Sequence, residues 1–334
     1  MDGVRALAMT ALLITVDTEL SSLLHERGIN LEDNIRLSIW AESRGQAYGI
    51  GWQMAELERH GLKGVFFVDP MPALVYGTEF LKPIVTSIMD RGHEVQLHVH
   101  SEWLRWARHS PIEGRLGRNI GDFSMDDQVT LLRLGRQWLE EAGAPAPMAF
   151  RAGNFGANDD TLRALGHVGM TWDSSVNPAY HRYGCRISGA RDQIAPTRSF
   201  GVCELPVSGI TDRPGSFRPA QICAMSAKEM RTGLRHAVGE RHAAFAVVTH
   251  SFEMLTRDRQ RPNHAVMRRF TALCREAAKL TGLSVCGFKD LPLSLATEAS
   301  SSHSRVPPDR LRTTSRMVQQ LWASWRYERR FIPA

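Results

Sequence analysis

The stretch GHEVQLHVHSEW, residues 92–103, places two histidines and a carboxylate at the end of an apolar run. If residues 93–97 form a strand, His98 and His100 lie on the same side of its extended end, because side chains alternate along a strand. Glu102 follows on that side or begins the next helical turn. Two imidazoles and a carboxylate within reach of one point predict a site for a divalent metal ion.

A second acidic pair follows another apolar run far upstream, in ITVDTE at residues 14–19. Its two carboxylates, Asp17 and Glu19, stand two residues apart. Imidazole and carboxylate ligands together suit zinc or another first-row divalent ion. The alternative interpretation is that all of these side chains are solvated loop residues that follow two strands.

Short runs rich in β-branched and aromatic residues alternate with helical runs along the chain. The clearest helix spans residues 125–142, with Ser124 as its N-cap and Gly143 after its end. Strands that alternate with crossover helices imply an α/β protein with a parallel sheet, and seven or eight such strands favour closure into a barrel. The predicted strands are 11–16, 64–68, 94–98, 148–151, 170–173, 202–206, 244–249 and 283–286, and the other predicted helices are 52–60, 79–91, 159–165, 227–238 and 264–280.

Polar side chains recur where the predicted strands end. In parallel barrels the reactive groups gather at the carboxyl ends of the strands. Five separate segments each contribute one such residue, which supports a single site more strongly than any one motif does. These residues are Asp17, His98, Arg151, Asp173 and His250.

Composition indicates a globular chain and argues against a nucleic-acid binder. The 334 residues carry a formal net charge of +6, spread over arginines along the whole length without a Lys-rich patch or interleaved aromatic motif. The five cysteines form no CxxC pair, so a reducing, cytoplasmic compartment is expected. The early apolar stretch, residues 6–16, is too short to span a bilayer and runs into Asp17, so no cleaved signal peptide is expected.

The character of the chain changes after residue 296. Residues 1–296 are predicted to form one domain, residues 297–309 a linker rich in serine and proline, and residues 310–334 a basic amphipathic helix. This helix either packs on the domain or on a second subunit, or it rests on an anionic membrane surface at the inner face of the membrane.

Five ordered motifs, TVDTE, GHEVQLHVHSEW, FRAGN, WDSS and VTHSFE, resemble those of the NodB-type polysaccharide deacetylases, carbohydrate esterase family four. The resemblance covers roughly residues 10–292. It implies a distorted (β/α)7-8 barrel and one divalent metal ion, with zinc as the expected metal. It also implies an N-acetylated saccharide or glycan precursor as the substrate.

The resemblance assigns the first two motifs to the base and the metal ligands. Asp17 matches the base aspartate and Glu19 the acidic ligand, while His98 matches the first of two histidines. Glu102 stands where the second histidine is expected, and His100 lies between them, so the third ligand is either His100 or Glu102. A carboxylate there would weaken the Lewis acidity of the ion and favour a harder metal than zinc.

The remaining motifs imply the groups that handle protons. Arg151 matches the arginine that orients the base, and His250 matches the acid that protonates the leaving amine. Asp173 resembles the residue that pairs with this histidine and tunes it. Four further residues are candidates for substrate contact, with core packing, loop capping or an inward-facing site partner as the alternatives: Trp103, Asn154, Glu204 and Glu253.

Three functions remain open at this stage. The first is a metal-dependent hydrolase that removes an N-acetyl group from an amino sugar of a surface polysaccharide or its precursor. The second removes a formyl or other acyl group from an amino sugar carried on a lipid, which the basic tail favours. The third is a sugar-binding protein without catalysis, and the retention of Asp17, Arg151 and His250 argues against it, because binding alone needs no base and acid.

Overall fold

The computed structural model describes residues 9–181, 183–296 and 304–327, with the side chains of the last helix described as far as residue 322. Residues 297–303 of the expected linker and residues 328–334 of the tail therefore lie outside the described residues. The strands are β1 Thr10–Thr18, β2 Glu42–Ser43, β3 Gln46–Ala47, β4 Val65–Val68, β5 Glu94–Val99, β6 Ala149–Ala152, β7 Trp172–Asp173, β8 Thr197–Ser199, β9 Val202–Glu204, β10 Gly209–Arg213, β11 Ser216–Pro219, β12 Ala244–His250 and β13 Leu283–Val285.

Ten α-helices alternate with these strands in the described part of the chain. They are α1 Ser22–Glu26, α2 Leu31–Ser38, α3 Ile50–Arg59, α4 Ala73–Tyr76, α5 Leu81–Met89, α6 Met125–Glu141, α7 Asp159–His167, α8 Ala227–Gly239, α9 His264–Lys279 and α10 Arg310–Tyr327. Short 3-10 turns cover Ser101–Trp106, Ile120–Asp122, Gly153–Phe155, Pro178–Tyr180, Phe288–Asp290 and Leu293–Leu295.

The main sheet is ordered β12-β1-β4-β5-β6-β7-β9-β8, and β13 also pairs with β1. Its strands are parallel except at the edge, where β8 runs antiparallel to β9. No ladder joins β12 to β8 within the described residues, so the curled sheet stays open between these two strands. The predicted α/β fold, a distorted barrel, is confirmed, although the sheet does not close as completely as the strand count suggested.

Both faces of the sheet are covered, which explains why its strands are apolar throughout. All nine residues of β1 are buried, as expected for a parallel strand with apolar layers on both faces. Along β1, Leu13 points into an inner cluster with Phe67 and Trp172. The neighbouring Leu12 instead packs in an outer cluster with residues of α8 and α9. This alternation decides which polar side chains reach the inside of the barrel.

Helix α6 illustrates how the sequence fixes a helix start. The Ser124 side chain accepts a hydrogen bond from the backbone N–H of Asp127, as predicted for an N-cap. Leu131, Leu132 and Leu139 form its buried face. The helix ends at Glu141, and Gly143 adopts a positive φ of 101° just beyond it.

Helix α10 packs on the domain through polar side chains. Arg316 is buried and pairs with Asp212 at 3.1 Å and with Glu229 at 3.0 Å. Leu321 and Trp322 on the same helix are exposed. The helix therefore lies on the domain, as one of the two sequence interpretations expected, but with its apolar residues turned outward.

Several elements were absent from the sequence prediction. Helix α2, the hairpins β2-β3 and β10-β11, and the edge strand β8 lie in segments without a clear apolar period. The expected strand 170–173 contains only the two residues of β7. None of the helices in the described residues combines the length and apolar character that a bilayer crossing requires.

Candidate active site

Strand alternation brings the predicted site residues to the inner side of the sheet at its carboxyl end. Asp17 shares its parity with inward-facing Leu13 on β1, and His250 shares its parity with inward-facing Ala246 on β12. The ladders place Asp17 opposite His250, and His98 opposite Arg151. Four of the five strand-end residues predicted from the sequence therefore lie in one cluster, and Asp173 is the exception.

A small pocket of about 120 Å³ opens at this cluster. Its volume suits an acyl group better than a whole oligosaccharide, so a sugar would extend beyond it. The pocket is lined by Asp17, Glu19, His98, His100, Ala152, Asn154, Phe155, Tyr180, Gln221 and His250.

Glu19, His98 and His100 form a group that could hold a metal ion. One ligand atom from each residue lies within 4.8 Å of the others. Glu19 Oε2 is 3.1 Å from His98 Nε2 and 2.5 Å from His100 Nε2. Two imidazoles and one carboxylate are a ligand set of catalytic zinc sites, which leave a further position open.

Each histidine is oriented by its other ring nitrogen. His98 Nδ1 lies 2.7 Å from the backbone oxygen of Arg151, which can only accept, so Nδ1 carries the hydrogen and Nε2 is left for a metal. His100 Nδ1 lies 2.9 Å from Glu102 Oε1, with the same consequence for its Nε2. The donor types and the orientation of both rings therefore suit a divalent ion.

Glu102 falls outside the cluster of three ligand atoms in the structure. Of the two residues that the sequence left open, the geometry brings His100 close to Glu19 and His98, and Glu102 is the hydrogen-bond partner of His100. Glu102 lies in a 3-10 turn that begins directly after His100, so its carboxylate folds back onto that imidazole.

Charge pairing dominates the electrostatics of this cluster. Burial alone would raise the pKa of the Glu19 carboxyl, but the charge of His100 and hydrogen bonds from His100 and His98 hold it well below its usual range. Burial would lower the pKa of His100, but Glu19 and Glu102 raise it well above its usual range. A proton therefore occupies His100 when no cation replaces it, and a metal must displace that proton.

Arg151 holds Asp17 in place. The side chain of Arg151 is fully buried, and its Nη1 donates to Asp17 Oδ1 at 2.6 Å and to Thr15 Oγ1 at 2.8 Å. Its Nη2 and Nε donate to Ser174, and its guanidinium carbon lies 4.2 Å from the centre of the Phe67 ring. The second carboxylate oxygen of Asp17 stays free of the arginine and faces His250 Nε2 at 3.8 Å.

His250 pairs with Glu253 rather than with Asp173. Its Nδ1 lies 2.8 Å from Glu253 Oε1, and the other oxygen of Glu253 accepts from Thr249 Oγ1 at 2.8 Å. Burial lowers the pKa of His250, but the carboxylates of Glu253, Asp17 and Glu19 outweigh burial and raise it to about 9. Glu253, expected at the substrate, therefore positions the imidazole.

The expectation that Asp173 pairs with His250 is wrong, because Asp173 faces the opposite side of the sheet. Trp172 points into the inner cluster, so its neighbour Asp173 points outward. There Asp173 accepts from Ser175 Oγ at 2.6 Å and lies beside the carboxyl of Glu204. Burial and the charge of Asp173 raise the pKa of Glu204 well above its usual range, as expected when two buried carboxyls share one proton.

Glu204 and Trp103 do not reach the pocket. Glu204 is 1% exposed and accepts from the backbone N–H of Val176 at 2.9 Å, so its substrate role is wrong. Trp103 has no exposed surface and packs against His25 with a ring separation of 5.4 Å. A sugar platform needs an open ring face, so Trp103 belongs to the core.

Asn154 does line the pocket, on the turn that follows β6. It has a positive φ of 55°, and its Nδ2 is buried without a hydrogen-bond partner among the described residues. The preceding Gly153 is required by space, because a Cβ at this position would lie 2.7 Å from His100 Cγ. The FRAGN motif thus combines a base-orienting arginine with a close approach to a metal ligand.

Asp69, Tyr180 and Gln221 were missed by the sequence analysis. Asp69 directly follows β4, and its Oδ1 accepts from the backbone N–H groups of Met71 at 3.0 Å and His100 at 3.3 Å. Burial raises the pKa of Asp69 to about 7, against the lowering effect of the two histidines. Its position after the predicted strand 64–68 was a usable signal. Tyr180 lies in a short 3-10 turn and Gln221 lies outside the helices and strands, so neither residue follows a periodic pattern that the sequence could reveal.

Comparison with known proteins gives structural matches only, since no family model and no curated protein matches this chain in sequence. A Mycobacterium smegmatis protein assigned as a polysaccharide deacetylase is similar with a TM-score of 0.54 and 18% identity, over 86% of this chain and 90% of that one. A family 4 carbohydrate esterase from Streptomyces lividans, solved with acetate, gives a TM-score of 0.41 and 12% identity, over 90% and 98% of the two chains.

A 4-alpha-glucanotransferase from Thermococcus litoralis is also similar, with a TM-score of 0.51 and 8% identity over 84% of this chain and 40% of that one. Its different activity shows that function must be argued from the site rather than from the sheet. The match to the Mycobacterium smegmatis protein, which extends over most of both chains, agrees with the five motifs, their order and their position at the strand ends. The chain therefore has the fold of the NodB-type polysaccharide deacetylases, the family that its motifs resemble.

Proposed function

We propose that this protein is a metal-dependent hydrolase that removes an N-acetyl group from an amino sugar of a surface polysaccharide or its precursor. The observation that supports the proposal is that three groups of side chains face one pocket. A possible ligand set, a carboxylate held by an arginine and an imidazole held by a carboxylate all face the same small space.

Glu19, His98 and His100 would hold one divalent ion, for which zinc is the proposed identity because the donors are two imidazoles and one carboxylate. Such an ion polarises an amide carbonyl and lowers the pKa of a bound water. The Arg151 carbonyl and the Glu102 carboxylate fix the two rings so that both Nε2 atoms face Glu19.

Asp17 serves as the general base in this proposal. Arg151 occupies Oδ1 of Asp17 and leaves Oδ2 on the side of the pocket, so the free oxygen can take the proton from the attacking water. Because the guanidinium is fully buried and bonded to Thr15, Asp17 and Ser174, it keeps the carboxylate in one orientation.

His250 serves as the general acid. With its pKa raised to about 9, the imidazole carries a proton at neutral pH, which the leaving amine requires. A bound cation would offset the charge of Glu19 and bring this pKa closer to neutrality. Glu253 accepts from Nδ1, so Nε2 is the nitrogen that faces Asp17 and the substrate.

Asn154 supplies a polar contact for the substrate. Its buried Nδ2 has hydrogens to donate and lines the pocket, so a sugar hydroxyl or the acyl oxygen would satisfy it. The five cysteines are all free thiols, which favours action in a reducing compartment.

A deacylase of a lipid-linked amino sugar is the second candidate. The observation that favours it is the outer face of α10, where Leu311 is 83% exposed and Leu321 is 71% exposed. Exposed leucines on a helix that also carries arginines suit weak contact with an anionic bilayer.

Acetate release from N-acetylglucosamine oligomers tests the first candidate. Chelated protein should release none, and added zinc should restore the rate in the wild type but not in His98→Ala, which lacks a ligand. His109→Ala, at an exposed histidine away from the pocket, is the matched control and should behave as the wild type. A rate that is indifferent to chelation and to His98→Ala would exclude the proposed chemistry.

A further inference from the structure

A second and larger cleft, of about 660 Å³, lies next to the catalytic pocket. The two are joined through one short segment, because Glu253 and Phe252 line the cleft while Glu253 also holds His250. A substrate with its acyl group at His250 therefore has this cleft within reach of its next substituent.

Three arginines line this cleft, namely Arg27, Arg257 and Arg259. Among the residues that the structure describes, none of them forms a salt bridge with a carboxylate. Two carboxylates share the cleft, but Glu253 is engaged by His250, and Asp258 accepts from Thr256 and from the backbone of Gln260.

Arg259 is the best placed of the three. Its guanidinium carbon lies 4.6 Å from the centre of the Phe252 ring, and the His250 ring also contacts Phe252, with a centroid separation of 5.3 Å. The cation and the proposed acid thus contact the same aromatic ring. Its Nη1 donates to Ser38 Oγ, which leaves the other guanidinium nitrogens for a ligand.

The loop that carries Arg257 and Arg259 is held in a fixed form. Thr256 N–H donates to the Arg261 carbonyl at 2.8 Å, and Ser43 Oγ donates to the Gln260 carbonyl at 2.6 Å. Arg259 itself has a positive φ of 55°, a conformation that residues other than glycine seldom adopt. Burial lowers the pKa of Arg259 to about 10, against the raising effect of Glu19, so this cation lacks the compensation that an anion would give.

We propose that the cleft lined by Arg27, Arg257 and Arg259 binds an anionic group of the substrate, a phosphate or a carboxylate next to the acylated amino sugar. This inference rests on the proposed function and narrows its substrate class. Arginine is suited to the role because its planar fork matches both anions. A neutral polysaccharide would leave the three cations without a partner.

Binding to the metal-loaded protein tests the inference without relying on turnover. Calorimetry would compare N-acetylglucosamine 1-phosphate, N-acetylmuramic acid and the uncharged methyl glycoside of N-acetylglucosamine. At least one anionic probe should bind about tenfold more tightly than the glycoside, as expected for a charge-assisted hydrogen bond. Added salt should reduce this affinity gap between the anionic probe and the glycoside. The probe that gains affinity distinguishes phosphate from carboxylate.

Arg259→Gln should remove this gap while the affinity for the uncharged glycoside stays the same. Arg257→Gln, at an exposed position, should reduce the affinity gap, and it replaces Arg259→Gln as the test if that variant fails to fold. The control is Arg268→Gln, which lines a separate groove beside α10 and should keep the gap. Equal affinities for all three probes, no binding of any probe, or a gap that survives both cleft variants would overturn the inference. Tight anion binding without acetate release would instead count against the proposed function.

Discussion

Glu102→Gln and His100→Ala together test how the metal site is built. In the structure His100 belongs to the ligand cluster, and Glu102 accepts from its Nδ1 at 2.9 Å. Glutamine keeps the length of the side chain and an oxygen that can accept the same hydrogen bond, so the substitution removes only the charge. Alanine at position 100 removes a ligand.

The expected loss for Glu102→Gln follows from two opposing effects. Removal of a group that orients a ligand weakens metal affinity by about 10- to 100-fold. However, the Glu102 charge also helps to raise the pKa of His100, so its removal reduces the competition from the proton. We therefore expect a loss near the lower end, about tenfold, for Glu102→Gln and a much larger loss for His100→Ala.

Competition titration with a chromogenic zinc chelator at fixed pH measures both affinities, with His109→Ala as the surface control. The reasoning would be refuted if Glu102→Gln abolished zinc binding while His100→Ala retained it. That result would make Glu102 the third ligand and His100 its neighbour, which reverses the geometry described above.

Three further outcomes follow from the structure. Gly153→Ala should weaken zinc binding and destabilise the fold by about 1–3 kcal/mol, because its Cβ would lie 2.7 Å from His100 Cγ and 2.8 Å from a backbone oxygen. Gly51→Ala in helix α3, whose Cβ meets nothing within 4 Å, should lower neither zinc affinity nor stability in the same titration and melt. Zinc affinity should rise about tenfold per pH unit near neutrality, since the pKa of His100 is raised and its proton must leave before the ring can bind; an affinity independent of pH would contradict this. Arg316→Met should lower the free energy of unfolding, measured in urea, by about 3 kcal/mol, because it leaves buried carboxylates without their partner. Exposed Arg310→Met is the control and should have little effect. Equal stabilities of the two variants would show that α10 does not stabilise the domain.

The strand ends were predictable because the apolar runs are short and each stops at a polar residue. Asp17, His98, Arg151 and His250 follow four such runs, and a parallel sheet must bring the ends together. Glu19 and His100 were predictable as well, since each lies two residues beyond a strand-end residue on the same side.

The errors arose where sequence does not reveal which face of the sheet a residue occupies. Asp173 ends a strand of two residues, too short to show a period, so its outward direction could not be read from the sequence. The partner of His250 was missed because Glu253 reaches it through a turn, and turns carry no period either. Helix α10 was predicted as amphipathic, but which face packs on the domain depends on Asp212 and Glu229, far away in sequence.

The rate of acetate release by Asp17→Asn tests the central claim most directly, because asparagine keeps an oxygen for Arg151 and removes only the proton acceptor. At equal zinc content the rate should fall by about 10²- to 10⁴-fold, the usual contribution of a general base. Exposed Asp90→Asn is the matched control and should match the wild type. A wild-type rate in Asp17→Asn with zinc bound would contradict the account.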